Sequence, residues 1–122
     1  MNPDVLDHLN VLATFEENWN GENAHAILPQ TIFNVHTLLA VATPAFVEAV
    51  RVQDVFPTPN GTVTVELGNA RRYFMLDVGQ TQALCYYRVA SGVYGNNEGV
   101  PLTLEAIAAF MQLYAEYCAE PI

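Results

Sequence analysis

The spacing of apolar residues changes midway along the chain, and this change constrains the fold more than any other feature. From Val52 onward apolar side chains recur at every second position, as in a strand with one buried face. Short turns rich in proline, glycine and asparagine separate these segments, at residues 57–61, 68–69 and 79–80. Because short turns join antiparallel neighbours, the pattern predicts a meander of three or four strands.

The alternating segments give the strand positions. The clearest predicted strands cover residues 63–67, 73–78 and 82–89. The segment 90–101 that follows contains three glycines and two asparagines, and it is predicted to be a long flexible loop.

Helical spacing of apolar residues flanks this region on both sides. The first helix is expected over about residues 3–17, and the second begins at Pro29 and ends before Pro44. Residues 45–50 favour one further short helical turn. A C-terminal helix, apolar on most sides, is expected over about residues 104–118.

The predicted order of elements is therefore two N-terminal helices, three or four antiparallel strands and a C-terminal helix. The economical arrangement is an α+β two-layer sandwich with its helices on one face of the sheet. The 122 residues suit a single domain spanning 1–122, and a hydrophobic content of 52% is enough to form its core.

The charge of the chain is strongly negative, with a formal net charge of −9 and no lysine. Residues 1–50 contain six acids and no arginine, whereas all four arginines lie within residues 51–90. This balance argues against binding to nucleic acid or to an anionic lipid surface, because both need clustered cations. Such a charge can steer the chain toward a basic protein partner, and the alternative is that it only maintains solubility.

The sequence predicts a cytoplasmic protein. No apolar run reaches the roughly 18–20 residues of a membrane span, so we expect no membrane association. Residues Met1 to Asp7 carry two acids and no base, so we expect no secretory signal. Cys85 and Cys118 lie far apart without a C-x-x-C spacing and are predicted to be reduced thiols.

No arrangement in the sequence predicts a catalytic, metal or cofactor site. The histidines do not follow the H-E-x-x-H pattern of zinc ligands. Ser91 is the only serine and lacks a G-x-S-x-G context, and no glycine-rich phosphate loop is present. We therefore predict no catalytic residue, no metal ligand and no cofactor.

Candidate binding residues lie in one loop and at the arginine-bearing strands. They are Trp19, Glu22, His25, Arg71, Arg72 and Arg88. Loops carry functional residues more often than helices or strands do. The alternatives are that Trp19 caps the core and that the arginines protect a sheet edge. Because Arg71 and Arg72 are adjacent, one is expected in solvent and the other beside a helix acid.

Tyrosines concentrate in the second half of the chain, at Tyr86, Tyr87, Tyr94, Tyr114 and Tyr117. Such residues are typical of protein contact surfaces, and they are equally common at the margin of a small core. The sequence leaves both interpretations open.

Two motifs carry a resemblance to a known group of proteins. They are Trp19-Asn20-Gly21-Glu22-Asn23-Ala24 and the run from Pro57 to Glu66, PTPNGTVTVE. Over about residues 15–90 the chain resembles small bacterial proteins, often found in prophage or mobile-element settings. Those proteins show W-[DN]-G-x-x-A and P-x-P-[DN]-G-x-h-x-h-E-W, where h is apolar. This chain departs from the pattern at Leu67, where tryptophan is usual.

The resemblance implies a bacterial or phage origin and carries over no catalytic residue. Together with the charge and the tyrosines, it leads to a hypothesis: a non-enzymatic interaction module of the antitoxin, immunity or accessory type. One alternative is a small-ligand-binding domain or enzyme with a site where the Trp19–His25 loop meets the sheet. Another is a homodimeric component of a larger assembly, formed through the sheet edge or the last helix.

Overall fold

The computed structural model describes residues 2–122 and consists of four α-helices and five strands. The helices are α1 (Pro3–Leu12), α2 (Pro29–Val41), α3 (Pro44–Ala49) and α4 (Leu104–Ala119). The strands are β1 (Val55–Pro57), β2 (Val63–Gly68), β3 (Tyr73–Val78), β4 (Gln82–Val89) and β5 (Gly92–Pro101). A single turn of 3-10 helix, Val52–Asp54, precedes β1.

The strands form one antiparallel sheet in the order β1-β2-β3-β4-β5. The α+β class, the meander and the N-terminal and C-terminal helices are confirmed. The sheet has five strands, more than the three or four that we predicted.

The prediction of a flexible loop over residues 90–101 is wrong, because this segment forms the edge strand β5. A Cβ at Gly95 would lie 2.6 Å from the carbonyl oxygen of Cys85 and 2.8 Å from Cα of Tyr86. Glycine therefore allows β5 to approach β4 closely. The register then breaks between Ala83 and Cys85, where a bulge absorbs extra residues of β5. Glycines that predicted a loop instead permit an irregular strand.

The first helix ends at Leu12, five residues earlier than predicted. The Phe15 N–H donates to the Leu12 carbonyl, and the Thr14 hydroxyl donates to the Val11 carbonyl, which closes the last turn. The carbonyl of Phe15 accepts from the Ile27 N–H at 3.0 Å. A continued helix would use that carbonyl internally, so the returning chain stops the helix.

Side-chain caps are present at the N-termini of α1 and α4. Asn2 Oδ1 accepts from the N–H of Asp4 at 2.9 Å, and Thr103 Oγ1 accepts from the N–H of Ala106 at 3.1 Å. Each bond satisfies one of the free N–H groups at a helix start. These caps set where α1 and α4 begin.

The helices cover one face of the sheet and form a single hydrophobic core with it. α4 packs on β4 and β5, α2 packs on β2 and β3, and α1 packs beside β1. Phe46 of α3 meets Phe74 of β3, with ring centroids 5.8 Å apart. Both rings are fully buried, and each contributes about 1.5–3 kcal/mol through the area removed from water.

None of the helices that the structure describes packs on the opposite face of the sheet, which we call the open face. Alternation along each strand assigns its side chains, since the neighbouring residues point into the core. Its side chains are Phe56, Thr64, Glu66, Tyr73, Met75, Asp77, Leu84, Tyr86, Arg88 and Val93.

No helix within residues 2–122 is long and apolar enough to cross a membrane.

Candidate functional site

The loop after α1 is held closed by the indole of Trp19. Its Nε1–H donates to the carbonyl oxygen of His25 at 2.8 Å. The ring lies against Phe15, with centroids 5.2 Å apart. Because Trp19 is half-buried and bonded within its own loop, it anchors this loop to the body of the protein. We call residues 18–25 the tryptophan loop.

Two asparagine side chains close the interior of the tryptophan loop. Asn18 Oδ1 accepts from the N–H of Asn23 at 2.8 Å. Asn20 Oδ1 accepts from the N–H groups of Glu22 and Ala24 at 2.8 and 3.1 Å. Asn18 and Asn23 adopt left-handed backbone conformations, with φ of 64° and 65°, which asparagine tolerates better than most residues. The Glu22 side chain is exposed.

The tryptophan loop packs against the turn between β1 and β2. The His25 N–H donates to the carbonyl oxygen of Pro59 at 2.9 Å. A Cβ at Gly61 would lie 3.0 Å from the carbonyl oxygen of Ala26 and 3.3 Å from Cβ of His25. A side chain here would be crowded, and Gly61 has a φ of 85°, in the left-handed region that glycine adopts most readily. The two motifs that carry the resemblance thus meet in space at one end of the sheet.

A cleft of about 240 Å³ opens between the tryptophan loop and the β1–β2 and β3–β4 turns, and we call it the loop cleft. Its polar lining includes Glu17, His25, Asn60, Thr62 and Gln80. His25 Nδ1 lies 3.6 Å from Glu17 Oε2, and the two side chains are 69% and 71% exposed. A pair this exposed contributes little stability, so these groups remain available to a ligand.

Among residues 2–122, no three His, Cys, Asp or Glu side chains are grouped so that they could hold a metal ion. His8 lies half-buried between α1 and β1, with its Nε2 2.6 Å from the carbonyl oxygen of Val55. This histidine is engaged in holding the helix to the first strand.

The three candidate arginines lie at the other end of the sheet from the tryptophan loop. Arg71 and Arg72 occupy the β2–β3 turn, and Arg88 is the register partner of Tyr73 at the start of β3. The six residues of β2 separate the two ends, a distance of about 17 Å. The six candidate residues therefore form two groups. No single site combines the loop residues with the arginines.

Arg72 holds the C-terminal end of α4. Its Nη2 donates to the carbonyl oxygens of Tyr117 and Glu120, at 2.6 and 3.2 Å. The guanidinium carbon also lies 4.2 Å from the centroid of the Tyr117 ring. The predicted partner, a helix acid, is replaced by helix carbonyls. Arg71 and Arg88 are exposed.

Most of the clustered tyrosines belong to the core. Tyr114 lies 5.1 Å from both Phe46 and Phe74 between ring centroids. Tyr117 contacts Phe74 at 5.9 Å and Tyr87 at 6.0 Å. Burial raises the pKa of Tyr114 to about 12, and burial also raises the pKa of Tyr87. These rings join α4 to the sheet.

Two tyrosines remain on the open face. Tyr73 of β3 and Tyr86 of β4 are diagonal neighbours, with centroids 6.1 Å apart in an edge-to-face arrangement. Burial raises the pKa of Tyr86, and its neighbours Tyr73, Glu66 and Asp77 raise it further. Neither tyrosine is among the six candidate binding residues predicted from the sequence. The signal was present, because alternation places Tyr73 and Met75 opposite the core residue Phe74.

The carboxylates of the protein have no arginine partners within the part of the chain that the structure describes. The single contact there between a carboxylate and a basic side chain joins Glu17 and His25. From residue 4 to residue 22 the acidic side chains are all exposed and no lysine or arginine occurs, a region that we call the acidic segment. Its acids are Asp4, Asp7, Glu16, Glu17 and Glu22. The acidic segment therefore presents uncompensated negative charge.

Comparison of the chain with protein-family models, with curated proteins and with solved structures finds no match.

Proposed function

We propose that this protein is an interaction module that binds a basic protein partner through its acidic segment. The observation that carries the proposal is the group of exposed carboxylates between residues 4 and 22 without an arginine partner. Opposite charge on a partner would be steered to this surface and would accelerate encounter. The resemblance supports a bacterial or phage setting, and we propose an antitoxin, immunity or accessory role in the cytoplasm.

The ordered geometry of the tryptophan loop favours this function. The Trp19 indole donates a hydrogen bond within the loop, and the side-chain oxygens of Asn18 and Asn20 accept from its backbone. The loop backbone that carries the exposed Glu22 is therefore fixed. A preformed surface loses less conformational entropy when a partner binds. Glu16 and Glu17, which precede the loop, are also exposed and add to its negative charge.

The test is capture of protein partners by the tagged protein from a bacterial lysate, at about 0.05 M and about 1 M salt, where the Debye length falls to about 3 Å. We expect one stoichiometric basic partner, retained at low salt and released at high salt. The triple variant Glu16→Gln, Glu17→Gln, Glu22→Gln should lose it. The matched control, Glu48→Gln, Glu98→Gln, Glu116→Gln, removes the same charge elsewhere and should retain it. Equal retention by both variants would refute the role of the acidic segment.

A second candidate function is the binding of a small polar ligand in the loop cleft. The observation that favours it is the grouping of Glu17, His25, Asn60 and Gln80 around one opening. Arg71 takes no part, because it lies at the other end of the sheet. A thermal-shift screen of polar metabolites would support this function if stabilisation is lost in His25→Ala and kept in Arg71→Ala.

A further inference from the structure

The loop cleft is held open by hydrogen bonds on two of its sides. The tryptophan loop is tied to the β1–β2 turn by the bond from the His25 N–H to the Pro59 carbonyl oxygen. The first half of α2 is tied to the β3–β4 turn by Asn34, whose Nδ2 donates to the carbonyl oxygens of Gly79 and Gln80 at 2.9 and 3.0 Å. These bonds all lie within the protein, so the cleft is preformed, as small-molecule sites usually are.

Thr31, in the first turn of α2, lines the loop cleft although it is only 1% exposed. The side-chain hydrogen bonds of α2 join Gln30 to Asn34 and Asn34 to the β3–β4 turn, and none within the described residues involves the Thr31 hydroxyl. The one fully buried side-chain nitrogen or oxygen without a partner there is Arg72 Nε. The Thr31 oxygen therefore keeps a small contact with solvent, through the cleft. Because buried polar groups are normally hydrogen-bonded, this free hydroxyl points to a polar ligand group.

The other polar side chains of the cleft are suited to hydroxyl groups. Asn60 and Gln80 are exposed, and each presents a terminal amide with an acceptor oxygen and a donor NH₂ group. Thr62 adds a second hydroxyl, and His25 adds its ring nitrogens. A ligand hydroxyl donates one hydrogen bond and accepts others, so it needs neighbours of both kinds. The lining therefore matches a ligand that is rich in hydroxyl groups.

The charges of the cleft disfavour an anionic ligand. Of the described residues that line it, none is lysine or arginine, and residues 1–50 of the chain contain neither. Glu17 is 71% exposed, with its Oε2 3.6 Å from His25 Nδ1. This carboxylate would repel a phosphate or a carboxylate, and no lysine or arginine of the lining would compensate the repulsion.

A cationic ligand is also poorly matched. Glu17 is the only carboxylate among the described lining residues, and its Oε1 already accepts from the Ala26 N–H at 3.2 Å. No phenylalanine, tyrosine or tryptophan lines that part of the cleft, so a cation would have no aromatic face to bind. A neutral ligand satisfies both constraints.

We propose that the loop cleft binds a neutral monosaccharide, a ligand class that rests on the second candidate function above. Sugar hydroxyls bond the amides of Asn60 and Gln80 and the hydroxyl of Thr31. Leu28, which is 40% exposed, meets the apolar C–H groups of the ring. The cleft of about 240 Å³ is smaller than the about 300–1,000 Å³ of most ligand sites, so it holds one small molecule. A ligand of this size in an open cleft should bind with a dissociation constant in the millimolar range.

The test is a ¹H–¹⁵N NMR titration of the full chain with glucose, galactose and N-acetylglucosamine to about 100 mM, well above the expected constant. Inorganic phosphate and ethanolamine serve as anionic and cationic comparisons. At least one sugar should give saturable shifts of the backbone amides of Thr31, Thr62 and Gln80, and the two ions should give none. An ion that binds as tightly as any sugar would refute the sugar class and leave the cleft as a polar site. Absence of saturable shifts with every compound would refute the second candidate function as well.

Two variants on α2 separate the role of the hydroxyl from a structural effect. Thr31→Val keeps the shape of the side chain and removes one neutral hydrogen bond, so it should weaken sugar binding about fivefold. Its free energy of unfolding in urea should not fall by the cost of a hydrogen bond, because the hydroxyl has no partner in the described protein. Thr37→Val, half-buried on the same helix outside the cleft, should bind sugar like the unmodified chain. Equal sugar affinities of the two variants would contradict the role of Thr31. Both variants keep the acidic segment, so neither should affect capture of a basic partner.

Discussion

At the scale of single residues, the arginines differ in what they do although the sequence presents them alike. Arg72 binds the last carbonyls of α4, where a helix carries partial negative charge and free acceptors. Its neighbour Arg71 is exposed. Alternation along the chain predicted that the two would point apart. It did not reveal that the acceptor would be a helix end about 45 residues away in sequence.

This difference gives a paired prediction. Arg72→Ala removes two hydrogen bonds from a charged donor and the contact with the Tyr117 ring, so it should lower the free energy of unfolding by about 2 kcal/mol. Arg71→Ala should change it by less than about 0.5 kcal/mol, as expected for an exposed side chain. Urea unfolding followed by circular dichroism measures both. Equal effects of the two variants would contradict the role assigned to Arg72.

At the scale of elements, β5 shows why glycine content misleads a prediction from sequence. Gly95 adopts a φ of 117°, and its missing Cβ lets the strand lie against Cys85 and Tyr86. A loop and an irregular edge strand both require glycine, and only the presence of β4 as a pairing partner distinguishes them. The tertiary contact therefore decides the secondary structure here.

Substitution of this glycine tests the assignment of β5. Gly95→Ala should destabilise the protein by about 2–3 kcal/mol, because it combines a left-handed backbone with a clash against β4. Gly21→Ala is the control, since Gly21 has a φ of 76° with no atom within 4 Å of its added Cβ. It should cost only about 1 kcal/mol, the backbone contribution. Equal losses in urea unfolding would mean that β5 does not pack closely on β4.

At the scale of the whole molecule, burial raises the pKa values of several thiol and phenol groups of the sheet and α4. Burial raises the pKa of the Cys85 thiol above its ordinary value of 9.0. The pKa of Tyr114 is raised from 10.0 to about 12, chiefly by burial. In the unfolded chain these groups ionise at their ordinary pKa values. Above about pH 9 the unfolded state therefore binds fewer protons than the folded state, so stability falls as pH rises.

The resulting prediction is a loss of stability that begins near pH 9 and continues to about pH 12. The free energy of unfolding in urea should decrease steadily between about pH 9 and about pH 12. The decrease should be shallower in Tyr114→Phe and in Cys85→Ala, because each variant removes one of the titrating groups. Neither variant should alter the pH dependence below about pH 8. A wild-type slope that both variants leave unchanged would contradict the assignment.

Part of the candidate site could be predicted from the sequence, and part depends on the tertiary structure. The sequence identified Trp19, Glu22 and His25 as a loop of interest, since the turn residues around them are readable locally. It did not place the open face, although alternation along β3 and β4 contained the information. The packing of α2 and α4 decides which face of the sheet stays uncovered. The sequence of a single strand does not determine that packing.

The sequence by itself determined the class of the fold, the order of its elements and the antiparallel meander, because these follow from local periodicity and short turns. The tertiary structure alone decided which glycine-rich segment became a strand, which tyrosines entered the core and which arginine met a helix end. Each of those outcomes depends on contacts between residues distant in sequence. The free energy of such a contact depends on both residues, and the local sequence around one of them does not identify the other.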